Sequence, residues 1–204
     1  MFIELTDHLI CPAAHEEQYL VLLPGTMEGR RVVTGELGCP VCGRIVRVRE
    51  GVVEFDSAPP VPSPGPSPLS AEAVTAFLAL SGPGGFVALA GAAAPLAGGL
   101  IERIPGVSFI LVNPPSGTSD SIAASVVRAP RLPLKSGSLR GVVLGADVAA
   151  QPGWVADAVR VVLPGLRVVA EGVRPSSEVE VLGWTANCWV GRKQSARGAS
   201  RSDF

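Results

Sequence analysis

Aromatic residues are scarce in this chain of 204 residues, at 5%, so its core must be filled mainly by aliphatic side chains. Charge is scarce too, at 17%, and it nearly cancels to a formal net value of -1. A nucleic-acid groove needs a basic stripe and a pI above about 9. The pI here is about 6.1, which speaks against that class. Four cysteines are too few, and three of them too clustered, for a secreted disulfide framework. The start has no charged-then-apolar signal segment, because Glu4 and Asp7 interrupt the first turns. These absences together predict a cytoplasmic protein.

What is present is an apolar fraction of 47%, enough for a packed core in one large domain or two small ones. The near-zero charge hides a split. Residues 1–56 hold five Arg against nine acids, which gives -4; residues 57–204 hold twelve Lys or Arg against nine acids, which gives +3. The basic run Arg192-Lys193, continued by Arg197 and Arg201, is expected to be a solvated tail over 194–204 rather than a binding arm.

The stretch from Cys11 to Cys42 carries the clearest chemistry. Cys39-Pro40-Val41-Cys42-Gly43 is a Cys-x-x-Cys knuckle whose Gly43 permits the sharp bend that two thiolates need to grip one ion. Cys11 and His15 add one sulfur and one imidazole. Three sulfurs and one nitrogen form a closed tetrahedral set, which suits structural zinc and leaves no catalytic position open. A redox-active Cys-x-x-Cys is the alternative, and His8 is the other histidine available as fourth ligand. Short strands are expected at Gln18–Leu23, closed by a turn at Pro24-Gly25, and at Arg31–Leu37. A hairpin is expected from Ile45–Val48 and Val52–Phe55 around Glu50-Gly51. A β-rich unit of this size is marginal without a staple, and a metal supplies one.

Residues 1–56 resemble the zinc-ribbon activator family, small subunits that bind and stabilise tRNA and protein methyltransferases. The matching residues are Leu9-Ile10-Cys11-Pro12, Cys39-Pro40-Val41-Cys42 and Gly51-Val52-Val53-Glu54-Phe55. His15 departs from that pattern, standing one position beyond where the family has a cysteine. The resemblance implies a ribbon that binds a protein partner.

Six prolines between Ser57 and Pro68 exclude a helix or central strand and predict a polyproline spacer over 57–69. Beyond it, Ser70 caps a helix that carries Val74, Phe77 and Leu78. No charge occurs from Ala73 to Ile101, but Gly82-Pro83-Gly84-Gly85 cuts that run into pieces too short to span a bilayer. Nothing in the sequence bears on peripheral attachment to a membrane. Buried strands are expected from Phe86, at Ser108–Val112, Ser125–Arg128, Arg140–Gly145 and Leu166–Ala170. A helix is expected over Trp154–Val162, stopped by Leu163-Pro164-Gly165. A terminal hairpin is expected at Val179–Gly183 and Asn187–Gly191. Alternating strands and helices predict an α/β fold: a Rossmann-like, doubly wound, mostly parallel sheet behind the small zinc ribbon.

Residues 70–193 resemble a class I S-adenosylmethionine-dependent methyltransferase domain. Leu132-Pro133-Leu134 matches the family's Leu-Pro-aromatic turn before its fourth strand, and Asp157 to Gly165 matches its helix and Pro-Gly turn before the fifth. The chemistry motifs are eroded. Leu89 stands for the acid that ends the first strand, and Gly91 alone survives from a Gly-x-Gly-x-Gly turn that is here Ala92-Ala93-Ala94-Pro95. Asn113 stands for the acid that takes the ribose hydroxyls, and Arg128 for the one facing adenine. Asn113-Pro114-Pro115-Ser116 also resembles the Asn-Pro-Pro-aromatic motif of amino-methyltransferases, without the aromatic, and is taken as a turn. Gly91, Asn113 and Asp147 are the candidate cofactor contacts; Asp147 equally suits a helix cap, and Cys188 a core position. No catalytic residue stands out. Ordinary cofactor binding is not expected, and the favoured expectation is a non-catalytic, partner-binding scaffold. A methyltransferase with a divergent pocket is the alternative.

Overall fold

The computed structural model describes residues 1–55, 67–118, 123–172 and 179–194. Residues 57–66 of the expected proline spacer and the basic tail beyond residue 194 lie outside the described residues. The N-terminal half is an antiparallel meander of β1 (Val21–Glu28), β2 (Arg31–Gly38), β3 (Ile45–Arg49) and β4 (Val52–Glu54). Its inner residues, among them Leu20, Val32, Leu37, Val46, Val48 and Val53, are buried. Pro24-Gly25 does not end the first strand as expected. β1 runs on to Glu28, with register shifts around Thr26. An edge strand tolerates this, because the missing N–H of Pro24 would have faced solvent rather than a partner.

Helix α1 (Ala71–Leu78) begins at Ser70, whose hydroxyl accepts from the Ala73 N–H at 3.1 Å. The uncharged run becomes strand β5 (Phe86–Ala90), buried at every residue, then a 3-10 turn at Gly91–Leu96 and helix α2 (Ala97–Arg103). There follow β6 (Ser108–Val112), β7 (Ala124–Arg128), β8 (Leu139–Leu144), the short α3 (Ala146–Ala149), α4 (Trp154–Val161), β9 (Val162–Glu171), β10 (Val179–Trp184) and β11 (Cys188–Lys193). Leu163-Pro164-Gly165 was expected to be a stop between helix and strand. It lies inside β9 instead, where the pairing with β8 shifts register between Leu139 and Gly141. The irregular stretch absorbs the proline that a regular central strand would reject.

All eleven strands form one sheet, in the order β1-β2-β3-β4-β7-β6-β5-β8-β9-β11-β10. The six central strands from β4 to β9 are parallel, and antiparallel hairpins flank them on both sides. The meander joins the rest through parallel pairing of β4 with β7: Val52 to Val126, Val53 to Val127 and Glu54 to Arg128. One core, on the face with α4, runs unbroken from Leu5, Leu37 and Val53 to Trp154 and Trp189; the other lies under α1 and α2. This is a mixed α/β architecture with helices on both faces of a mostly parallel central sheet. Strand order reverses between β5 and β8, so the crevice beyond their carboxyl ends is where this architecture receives ligands. Among the described residues, no helix is long and apolar enough to cross a membrane.

Candidate metal centre and ligand edge

The first site forms where the loop ahead of β1 meets the turn between β2 and β3. Cys39 and Gly43 close the knuckle: the Gly43 N–H bonds the Cys39 carbonyl and the Cys39 N–H bonds the Arg44 carbonyl, both at 2.9 Å. Gly43 sits at φ +70°, the left-handed region expected of it. The opposing loop is anchored by the Cys11 N–H on the Gln18 carbonyl, at 2.9 Å. The ligand atoms of Cys11, His15, Cys39 and Cys42 all lie within 4.8 Å of one another. Cys11 Sγ is 3.7 Å from Cys42 Sγ, and Cys39 Sγ is 3.4 Å from His15 Nε2. Zinc bonds of about 2.3 Å to sulfur and about 2.0–2.1 Å to nitrogen, set tetrahedrally, require edges of about 3.8 and about 3.5 Å. The four residues therefore fit a zinc ion. His8 is not part of the cluster; its ring packs edge-on against Phe86, centroids 4.7 Å apart.

The surroundings tune the donors. His15 Nδ1 bonds the Glu16 carbonyl at 2.7 Å, which places the proton on Nδ1 and leaves the Nε2 lone pair facing the sulfurs. The same bond raises the His15 pKa. Burial pushes the Cys11 thiol up to about 11, with the neighbouring thiols adding to the effect. Burial also opposes ionisation of Cys39, but backbone N–H groups of Cys42 and Val41 outweigh it and lower its pKa; the Arg44 N–H does the same for Cys42. Thiolates are favoured where the knuckle supplies N–H donors.

The second site is the carboxyl edge of the parallel strands. Gly91 opens the turn after β5 at φ +60°, and a Cβ there would collide with both carboxylate oxygens of Asp147. Asp147 comes from the first turn of α3, just after β8. It does not cap α3, whose N-terminal cap is Gly145 without a side-chain bond; instead its Oδ1 accepts from the Ala92 N–H at 2.9 Å. One carboxylate thus reaches across the switch point and sits in the turn of the neighbouring strand. Asn113, at φ +49° and 2% exposed, is engaged elsewhere. Its amide donates to the Ala129 carbonyl at 2.6 Å, and its oxygen accepts from the Ala129 N–H at 2.9 Å, tying β6 to the end of β7. The structure brings Gly91 and Asp147 together and directs the Asn113 side chain at Ala129.

No family model and no curated protein sequence matches the chain. Solved structures do. One is a complex of the Haloferax volcanii Trm112 methyltransferase activator with a methyltransferase, at 16% identity and a TM-score of 0.36, covering 48% of this chain and 50% of that one. A second is a protein of Anabaena variabilis described as a methyltransferase of an antibiotic biosynthesis pathway, at 14% and 0.39, covering 53% and 47%. A third is a methyltransferase from Geobacter sulfurreducens, at 8% and 0.37, covering 55% and 72%. The chain spans about half the length of the first two, and likeness at this level says nothing of activity.

Two groups, one on this edge and one beside the metal loop, escaped the sequence. Glu171, 2% exposed at the end of β9, accepts from the Ala146 N–H at 3.1 Å and from the Ser67 hydroxyl. Nothing in a strand ending Val-Val-Ala-Glu distinguishes such an acid from a solvated one. Asp157 and Arg160, in contrast, carry a helical i,i+3 spacing that could have marked them as a pair; their side chains meet at 3.3 Å.

Proposed function

We propose that the chain is a non-catalytic, partner-binding scaffold: a zinc ribbon over residues 1–56 joined to a degenerate methyltransferase-like domain over residues 70–193. Cys11, His15, Cys39 and Cys42 hold a structural zinc. The observation that carries the scaffold reading is Asp147, whose carboxylate lies in the Gly91–Ala92 turn where the fold would otherwise bring backbone against a ligand. The amide of Asn113, bonded twice to Ala129, supports the same reading, since it has little capacity left for a ribose. A protein is the favoured partner, as the resemblance of the ribbon implies. Four cysteines without a disulfide suit the reducing cytoplasm.

Cys11, His15, Cys39 and Cys42 would hold the zinc with four protein ligands, and the ion would supply stability to the fold and no further chemistry. The chain's residues present three sulfurs and Nε2, fix the imidazole through Glu16, and keep Cys11 and Cys39 away from water. Titration calorimetry with S-adenosylmethionine and S-adenosylhomocysteine tests the scaffold reading, with no heat of binding expected at micromolar protein. The second reading, a methyltransferase with a divergent pocket, is favoured by the strand reversal between β5 and β8. A dissociation constant in the low micromolar range would establish it in place of the first. Metal analysis tests the zinc: one ion per chain is expected, kept by His15→Cys and weakened by His15→Ala.

A further inference from the structure

A cleft of about 370 Å³ opens at the seam between the metal loop and the methyltransferase-like half. Small-molecule sites run from about 300 to 1,000 Å³. Pro12 and Ala13 line it from the metal loop, and Pro130, Leu132 and Pro133 from the segment after β7. These rings and short aliphatic groups suit a flat apolar body. Its charged groups are Glu17, Arg131, Asp157 and Arg160. Asp157 and Arg160 are spent, and Glu17 is engaged through one oxygen. Asp157 accepts from Arg131 Nε at 2.8 Å and from Arg160 Nε at 3.3 Å. Arg160 gives its remaining nitrogens to the Leu132 and Leu134 carbonyls at 2.9 and 2.7 Å. Glu17 accepts through Oε2 from both the N–H and the hydroxyl of Ser136, at 3.0 and 2.6 Å.

Arg131 differs. Its Nη2 makes a long bond of 3.4 Å to the Gly153 carbonyl, and its Nη1 has no partner among the described residues. The side chain is 58% exposed, yet its direction is fixed by the Asp157 bond. Gly153, at φ +85°, makes room for it: a Cβ there would stand 2.7 Å from Nη2. An arginine anchored at Nε, with its outer edge free, is a receptor organised in advance for a planar acceptor. The free edge of Arg131 offers a carboxylate two parallel donors, a fork that an amine or ammonium cannot use. We infer that this cleft binds small planar aromatic carboxylates through Arg131. Gly91, Asn113 and Asp147 do not line it, so the inference stands whether the ligand edge is filled or active.

The metal-loaded full chain is titrated with the fluorescent arylsulfonate 8-anilinonaphthalene-1-sulfonate, then competed with 1-naphthoate. One saturable site, displaced by naphthoate, is expected. Arg131→Ala should weaken both ligands at least about tenfold, in line with loss of a charge-assisted bond. Arg131→Lys should fall between, since a point charge does not reproduce the fork. Circular dichroism and metal content confirm that the variants are folded. Ala13→Leu, which narrows the cleft from the opposite wall with Arg131 untouched, should weaken naphthoate by a similar factor. Absence of saturable binding overturns the inference. So does affinity indifferent to Arg131→Ala or to Ala13→Leu, or fluorescence that appears only after chelation and therefore reports exposed core.

Discussion

The metal cluster and the ligand edge of the parallel sheet pose the same question and answer it oppositely. At the cluster, four donor atoms face one another across gaps that a zinc ion would bridge. At the edge, most of the polar groups have already met partners from within the chain: Asp147 Oδ1 with the Ala92 N–H, Asn113 with Ala129, and Glu171 with the Ala146 N–H, while Asp147 Oδ2 is buried without a hydrogen-bond partner among the described residues. Both regions are built from tight glycine turns. What distinguishes a site awaiting an occupant from one that is its own occupant is whether the chain spends the donors and acceptors it brings together. Breaking each region should therefore have a different signature.

Removing the metal should have the largest effect. Structural zinc contributes about 10–16 kcal/mol in small domains, as much as the about 5–15 kcal/mol of a whole protein's stability. The loss should spread, because β4 pairs with β7 and one core crosses the junction. All three tryptophans, Trp154, Trp184 and Trp189, lie in the C-terminal half. Chelation, or Cys39→Ser, should lower the melting temperature read by tryptophan fluorescence along with that read by circular dichroism. A fluorescence transition that stays put after chelation would show two independent units.

Next in size is Asn113→Ala. It strands the buried Ala129 N–H and places alanine at φ +49°. Each unsatisfied buried group costs about 1–3 kcal/mol, so thermal unfolding should come about 5–10 °C earlier at about 2–4 °C per kcal/mol. Asn113→Asp restores the charge that ribose contacts use elsewhere, but sets a carboxylate against the Ala129 carbonyl. It should lose stability without gaining S-adenosylmethionine affinity. Gain of affinity at unchanged stability would mean the amide was never spent.

How legible each region was follows from the same physics. The cluster could be read because ligation depends on local spacing, and Cys39-x-x-Cys42 with Gly43 imposes its own geometry. Which histidine completes it was harder, since His8 and His15 both lie near Cys11; only the fold turns His8 onto Phe86. The succession of buried strands along the chain was legible from uncharged runs such as Phe86–Ala90, buried at every residue; their order in the sheet was not. The stops at Pro24-Gly25 and Leu163-Pro164-Gly165 were misplaced, because an edge strand and a register shift each accommodate a proline that local propensity forbids. The reach of Asp147 to Ala92 spans 55 residues of sequence, and no local pattern encodes it.

A double-mutant cycle at the switch point should give a smaller effect. Gly91→Ala alone drives a Cβ into the Asp147 carboxylate at a left-handed φ, for about 1–3 kcal/mol. Asp147→Ala alone should cost about 1 kcal/mol for one hydrogen bond. In the double variant the collision is gone while the strain of φ +60° persists, so the two losses should fall short of additive by about 1 kcal/mol. Additive losses in urea unfolding would mean that Asp147 does not fill the turn.

The smallest effect concerns His8, and it separates a junction histidine from a ligand. Burial lowers its pKa below the ordinary 6.5; Asp7 opposes the shift and Lys135 adds to it. Its Nδ1 is buried without a hydrogen-bond partner among the described residues, so the neutral ring is the form the fold accepts. Above pH 6.5 the imidazole is neutral in both folded and unfolded chains and contributes no pH dependence. As the pH falls below 6.5, the unfolded chain takes up the proton first, and stability declines until the depressed folded pKa is passed. His8→Phe keeps an aromatic ring against Phe86 and removes the titration. The melting temperature of the parent should therefore fall more than that of His8→Phe between pH 7.5 and 5.5, by about 2 °C or less. Acid release of zinc is common to both proteins and cancels in the difference. Metal content should be one ion per chain in both; if His8→Phe instead loses zinc as His15→Ala is expected to, the fourth ligand is His8 and the cluster has been assigned to the wrong histidine.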